Sequence, residues 1–144
     1  MAREDFIAKQ WVSITGSRTL SGSTTWSSRL FNVYHHKGLY AAVYRTAETG
    51  TGVLDCKIQY YSKLSAAYHD LEGASFVQMP DGEAVPLERY LLVYPGLVAA
   101  DADNAIALNT DDKHCGSYLP AQFKFLFTAS GTTNVFAAGM WLLP

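Results

Sequence analysis

The sequence predicts an all-β protein, an antiparallel β-sandwich or jelly roll with an extended N-terminal arm. Three observations predict this fold class. Residues that favour strands are abundant, with nine Tyr, seven Phe and three Trp in 144 residues. Apolar and polar residues alternate over several short segments, while long helical periodicity is absent. The eleven glycines are spaced as turn markers between those segments.

The N-terminal region differs in composition from the rest of the chain. Residues 16–25 are small and polar, and such residues have little with which to fill a core. We therefore expect residues 1–29 to form an extended arm that carries one strand, at residues 7–14. Residues 30–144 are expected to form the β-sandwich domain.

Strands in the sandwich domain are predicted from alternation and from turn residues. Residues 29–34 and 39–45 are expected to form a hairpin around a turn at residues 35–38. The clearest strand covers residues 53–61, where Leu54, Cys56 and Ile58 share one face and polar residues occupy the other. Further short strands are expected at residues 68–71, 74–78 and 87–94.

The C-terminal part contains one long loop and two more strands. Residues 98–117 form an acidic, small-residue connection, and long loops often carry function. Residues 121–127 and 135–143 alternate cleanly around the turn at residues 130–134, which predicts a closing hairpin. The residues with the strongest alternation are expected to share one core: Leu54, Cys56, Ile58, Phe123, Phe125 and Phe127.

Composition excludes several classes of function. With 11 basic and 13 acidic side chains, the chain lacks the basic excess that drives nucleic-acid binding. No segment has the run of about 18 apolar residues that a membrane span needs. The charged N-terminus lacks the features of a secretory signal, so we expect a soluble protein made in the cytoplasm. In that reducing compartment, Cys56 and Cys115 are expected to be free thiols.

No motif predicts catalysis, a metal or a cofactor. Adjacent His35 and His36 point to opposite faces of a strand, so one strand cannot present both to one ion. The acidic segment that begins at Asp101 departs from a calcium loop, because Ile106 stands where glycine is required. We therefore expect a protein that is not an enzyme and that needs no cofactor.

Candidate contact residues are aromatic or lie in the long loop. Several aromatic side chains fall outside the core-facing sets, and such residues serve protein contact surfaces and sugar-binding faces as well as ordinary cores. The long loop adds two acidic candidates. The resulting candidates for protein contact are Trp11, Trp26, Tyr34, Tyr61, Asp101 and Asp103, and Trp141 shares the aromatic pattern.

Five segments resemble one known family. They are TGVLDCKIQ at residues 51–59, YHDLEGASF at 68–76, YLLVYPGL at 90–97, LPAQFKF at 119–125 and SGT at 130–132. From residue 39 to the C-terminus, the chain resembles the decoration proteins of tailed-bacteriophage capsids, also called cement or head-stabilising proteins. It departs from many of them at Tyr68, where they have tryptophan.

The resemblance implies a role in the virion. Proteins of this family are β-sandwiches that often form homotrimers and bridge coat subunits on the outside of an expanded capsid. The expected partner is therefore the major capsid protein, and the expected location is the capsid surface. The alternative that the residues leave open is a carbohydrate-binding β-sandwich module, which also exposes aromatic side chains.

Overall fold

The computed structural model describes residues 10–96 and 112–144, which contain ten strands and no helix. In chain order the strands are β1 (Gln10–Ser21), β2 (Thr24–Ser27), β3 (Phe31–Asn32), β4 (Gly38–Thr49), β5 (Val53–Ser62), β6 (Ala67–Ser75), β7 (Leu87–Val93), β8 (Lys113–Cys115), β9 (Gln122–Ser130) and β10 (Thr133–Leu143). Within these ranges no helix is long and apolar enough to cross a membrane.

The strands form two sheets that pack face to face. Sheet A has the order β1, β10, β4, β7, β8, and sheet B has the order β2, β9, β5, β6 with β3 also paired to β9. All pairs are antiparallel except the one between β7 and β8. The predicted all-β sandwich is confirmed.

The core lies between the sheets and is rich in phenylalanine. Phe127 of sheet B stacks on Phe136 of sheet A, with ring centroids 4.7 Å apart. The six residues predicted to share a core are all buried in one cluster, so that prediction is confirmed. Cys56 and Cys115 are buried free thiols, as expected. Burial also raises the pKa of the Cys56 thiol well above its usual value.

Two predicted hairpins are wrong, because their strands belong to different sheets. β9 pairs within sheet B and β10 within sheet A, so the turn at Gly131 connects the two layers. The same holds for β3 and β4, whose connection bridges the sheets through hydrogen bonds from Val33 to Ala121 and from Lys37 to Leu143. Tight hairpins and connections between layers use the same turn residues, so alternation alone cannot distinguish them.

The extended N-terminal arm is not confirmed. Of residues 1–29, those that the structure describes form β1 and β2, which are strands of the sandwich itself. β1 lies along β10 from Gln10 to Ser21, and its Ile14 and Leu20 are buried in the core. Its polar residues lie on the outer face and in the segment from Ser13 to Arg18, where the pairing with β10 is irregular. A small, polar composition therefore marks an edge strand here.

Candidate binding surface

Aromatic side chains line the outer face of sheet A. Their positions follow from the strand register, which aligns five residues in a first row: Trp11, Trp141, Tyr40, Leu92 and His114. The adjacent positions Met140, Ala41 and Leu91 are buried in the core. Because side chains alternate along a strand, the first row must face outward. Trp11 is 53% exposed and Trp141 is 43% exposed.

Two further rows extend this surface. The second contains Ser13, Gly139, Ala42 and Tyr90, and the third contains Ala137, Tyr44 and Glu88. Small residues thus occupy the middle of the sheet, and larger side chains stand around them. We call this surface, made of the three rows, the aromatic face.

Trp11 lies across the small residues and is held by its neighbours. Its ring contacts that of Trp141 edge to face, with centroids 5.3 Å apart. A Cβ atom added at Gly139 would lie 2.2 Å from Cζ2 of Trp11, so only glycine lets the indole lie this close to the strand. The position of Trp11 is therefore built into the sheet and is not that of a freely rotating side chain.

Shallow grooves follow from this alternation of large and small residues. One groove of about 350 Å³ runs over Ala42, Ala137 and Gly139 between Trp11 and Tyr44. A second, of about 500 Å³, is lined by Tyr40, Leu92, Trp141 and Leu143. Both are open and lined mainly by apolar atoms, a property typical of contact surfaces and ligand grooves.

Two tyrosines and two carboxylates occupy the side of the aromatic face at β7. Tyr40 and Tyr90 stack with centroids 5.3 Å apart and planes only 12° from parallel. The Tyr90 hydroxyl donates to the Glu88 carboxylate, and its backbone N–H donates to Oδ1 of Asp112 over 3.2 Å. The hydrogen bond to Glu88, together with burial, raises the pKa of Tyr90 to about 12. Burial, with Asp112 and Glu88 nearby, also raises the pKa of Tyr40.

The outer face of sheet B is more polar, and Tyr61 and Tyr68 form one exposed aromatic pair there. Lys57 pairs with Asp70 at 2.8 Å, and Gln59 donates to the same carboxylate. Gln78 donates to both oxygens of Asp55. These side chains bind one another and remain in contact with water, as on the wet side of an ordinary antiparallel sheet. The contrast between the two sheets identifies the aromatic face as the unusual surface.

The structure separates the residues that were predicted as contacts. Trp11 lies in the aromatic face. Trp26 packs inward on Phe127 and under the Arg18 guanidinium, which is a core role. Tyr34 is 74% exposed in the connection between β3 and β4. Tyr61 lies at the end of β5 against Tyr68.

The other two predicted contacts, Asp101 and Asp103, lie outside the described residues.

Sequence reasoning missed most of the aromatic face, including Tyr40, Tyr44, Tyr90 and Leu92. A signal was present in residues 39–45, where alternating positions are apolar or aromatic on both faces. A strand of this kind has no polar face to turn towards solvent, which indicates that both of its faces are covered or serve a contact.

No metal site is assembled in the part of the chain that the structure describes. There, no three His, Cys, Asp or Glu side chains are grouped so as to hold a metal ion. The Cys115 thiol is buried and donates to the carbonyl of Glu72 over 3.3 Å. The Nε2 atom of His69 shares a hydrogen bond with the Ser65 hydroxyl at 2.7 Å.

Comparisons with protein-family models, with curated proteins and with solved structures gave no match to this chain. The described residues form a β-sandwich whose outer face is aromatic on sheet A and more polar on sheet B.

Proposed function

We propose that this chain is a non-enzymatic structural protein that binds another protein surface through its aromatic face. The observation that carries the proposal is the exposure of Trp11 and Trp141 on a sheet whose outer side also carries tyrosines and small apolar residues. Tryptophan and tyrosine in shallow grooves dominate the energetics of many protein interfaces. An exposed apolar patch of this kind is otherwise a liability for solubility.

The proposed partner is the major capsid protein of a tailed bacteriophage. Support for this partner comes from the resemblance of residues 39–144 to capsid decoration proteins. In this role the chain sits on the outside of the capsid, bridges coat subunits and stabilises the head, with a homotrimer as the favoured assembly. A flat sheet face suits the task, because a coat surface that repeats around a shell is bound by area and not in a deep pocket.

Co-sedimentation with capsids that lack this protein tests the proposal. Replacing Trp11 and Trp141 by serine should weaken binding by at least about tenfold, because aromatic anchors carry much of an interface's free energy. The matched control replaces Tyr61 and Tyr68 by serine, which removes an exposed aromatic pair from sheet B. Equal binding by the tryptophan variant and the native protein would contradict the proposal.

A carbohydrate ligand is the second candidate, and the groove between Trp11 and Tyr44 favours it. Sugar rings stack on aromatic side chains, and this groove also presents Ser13, Thr15 and Glu88 as hydrogen-bonding groups. A glycan array with native protein and the Trp11→Ser variant distinguishes the candidates. Binding of a defined glycan that is lost in the variant would support the carbohydrate function.

A further inference from the structure

The connections at the two ends of the sandwich carry opposite charges. At the end where β5 and β7 finish, which we call the lysine end, the described connections contain Lys37 and Lys63 and no aspartate or glutamate. At the opposite end, the acidic end, they contain Asp81 and Glu83 and no lysine or arginine. The connections meant are residues 33–37, 63–66, 94–96 and 116–121 at the lysine end, and residues 22–23, 50–52, 76–86 and 131–132 at the acidic end.

A pocket opens at the lysine end, between three of these connections. Its volume is about 440 Å³, and it is lined by His36, Lys37, Tyr94, Pro95, Tyr118 and Leu119. Tyr118 is 81% exposed. His36 already has interactions within the protein, so we assign Lys37 as the cation that the pocket offers to a ligand. The pocket thus combines tyrosine rings and apolar side chains with one ammonium group.

Hydrogen bonds and close packing hold the walls of this pocket in place. The backbone N–H of Lys37 donates to the carbonyl of Leu143 over 2.9 Å, and the Tyr94 hydroxyl donates to the carbonyl of Pro144 over 3.0 Å. A Cβ atom added at Gly38 would lie 2.7 Å from Cδ2 of Tyr94, so glycine lets this ring lie against β4. The pocket is therefore formed before a ligand arrives, as is usual for binding sites.

At the acidic end, residues 81–86 form a segment that is exposed throughout. Val85 is 42% exposed, and Glu83 lies two positions before it. The buried Arg45 senses the charges of Asp81 and Glu83, but it gives its hydrogen bonds to backbone carbonyls and to Asn134. Within the described residues neither carboxylate forms an ion pair. The segment therefore offers negative charge and an apolar side chain to a partner.

The acidic segment cannot reach the pocket of its own chain. β7 begins directly after Pro86 and ends directly before Tyr94, so it separates the two sites. Its seven residues span about 20 Å at about 3.3 Å per residue. Such a pocket is within reach of the segment only on a second copy of the chain.

We propose that residues 81–86 of one copy dock in the pocket at the lysine end of a second copy. Val85 lies against the tyrosine rings of the pocket, and the Glu83 carboxylate pairs with the Lys37 ammonium group. Because the two contacting surfaces differ, the contact is head-to-tail and either closes a ring or continues as a chain. The homotrimer proposed above is one such ring. The contact uses residues outside the aromatic face, so it goes beyond the proposed function and does not depend on it.

Sedimentation velocity of the full chain, over a wide range of protein concentration, measures this contact. The native protein should form oligomers, and added salt should weaken them because the ion pair lies at the surface. Lys37→Glu alone and Glu83→Lys alone should each raise the dissociation constant at least about tenfold. A native protein that stays monomeric at every concentration would overturn the inference.

Exchange of the two charges tests the pairing itself. A variant that carries both Lys37→Glu and Glu83→Lys has the same ion pair with its charges reversed, so it should associate as the native protein does. Glu72→Lys makes the same charge change at an exposed position of β6 and should leave association unchanged. If the double variant associates no better than the single variants, the pairing of Glu83 with Lys37 is refuted.

Further variants separate this contact from the aromatic face. Val85→Ser should weaken association, whereas Leu64→Ser, which alters a fully exposed leucine at the lysine end, should not. Replacing Trp11 and Trp141 by serine should weaken capsid binding and leave self-association unchanged, so the two proposals can fail separately. Self-association that is lost in the tryptophan variant but kept in Lys37→Glu would overturn the head-to-tail contact.

Discussion

Arg45 is a fully buried cation whose hydrogen bonds tie several segments together. Its Nη1 atom donates to the carbonyls of Gly52 and Met79 and to Oδ1 of Asn134, each over 3.2 Å. Its Nη2 atom donates to the carbonyl of Pro80 over 2.7 Å. Burial lowers the pKa of Arg45, but a guanidinium remains charged at any ordinary pH. The side chain therefore fastens β4 to the start of β5, to residues 79–80 and to β10.

Replacing Arg45 by methionine should lower the free energy of unfolding by about 3–5 kcal/mol, because buried acceptors lose a charged donor. Equilibrium urea denaturation measures the change. Lys63→Met, in the exposed connection between β5 and β6, is the control and should have little effect. A loss below about 1 kcal/mol for Arg45→Met would contradict the proposed fastening role.

Tyr90 provides a prediction about pH. Its pKa of about 12 lies above the ordinary value of 10.0, chiefly because its hydroxyl donates to Glu88. Since the folded-state pKa is raised, the associated stability is complete below pH 10 and is lost as the pH rises towards 12. Tyrosinate absorbance of native protein and Tyr90→Phe, compared while the fold is intact, isolates this titration. Glu88→Gln should move it towards 10.0; an unchanged titration in that variant would contradict the assigned cause.

At the scale of strands, the packing of β1 against β10 depends on the contact between the Trp11 ring and Gly139. Gly139→Ala should push the indole off the sheet, because the added methyl group would overlap the ring. We expect a shifted Trp11 indole signal and a stability loss of about 1–2 kcal/mol. Gly16→Ala is the control within β1, since nothing lies within 4 Å of its added Cβ. Identical spectra for the Gly139→Ala and native proteins would contradict the described packing.

β1 and β2 are integral to the two sheets, and a deletion should reveal this. Removing residues 2–28 takes away β1, the edge strand that pairs with β10. It therefore also removes the buried side chains of Ile14 and Leu20 from the core. It also exposes the edge of β9 that pairs with β2. The truncated chain should lose cooperative thermal unfolding in circular dichroism, with aggregation at the uncovered edges. A cooperative transition like that of the intact chain would instead support a dispensable arm.

The sequence allowed the strands with clear alternation and their buried faces to be predicted, but not β2, β8 or the arrangement of the strands. Leu54, Cys56 and Ile58 alternate with polar residues, and this local pattern carries over directly into β5. Pairing partners depend on contacts between distant segments, so β9 and β10 were wrongly joined in one sheet. For the same reason, most of the aromatic face could not be predicted from the sequence. Tyr40 and Trp141 become neighbours only through the register between β4 and β10.

At the scale of the molecule, the outer faces of the two sheets differ in the side chains that they present. Sheet B presents charged and amide side chains that bind one another, together with the pair of Tyr61 and Tyr68, while sheet A presents aromatic rings over glycine and alanine across three rows. Both faces cover the same core, so folding alone does not require them to differ. The difference is explained if sheet A meets another surface and sheet B remains in water.

Hydroxyl-radical footprinting of the free and capsid-bound protein tests this central claim most directly. Oxidation of each aromatic residue is quantified by mass spectrometry in both states. If the aromatic face is the contact, Trp11 and Trp141 should be protected several-fold on the capsid, while Tyr61 and Tyr68 of sheet B should oxidise as in the free protein. Protection of Tyr61 and Tyr68, with Trp11 and Trp141 still fully reactive, would contradict it.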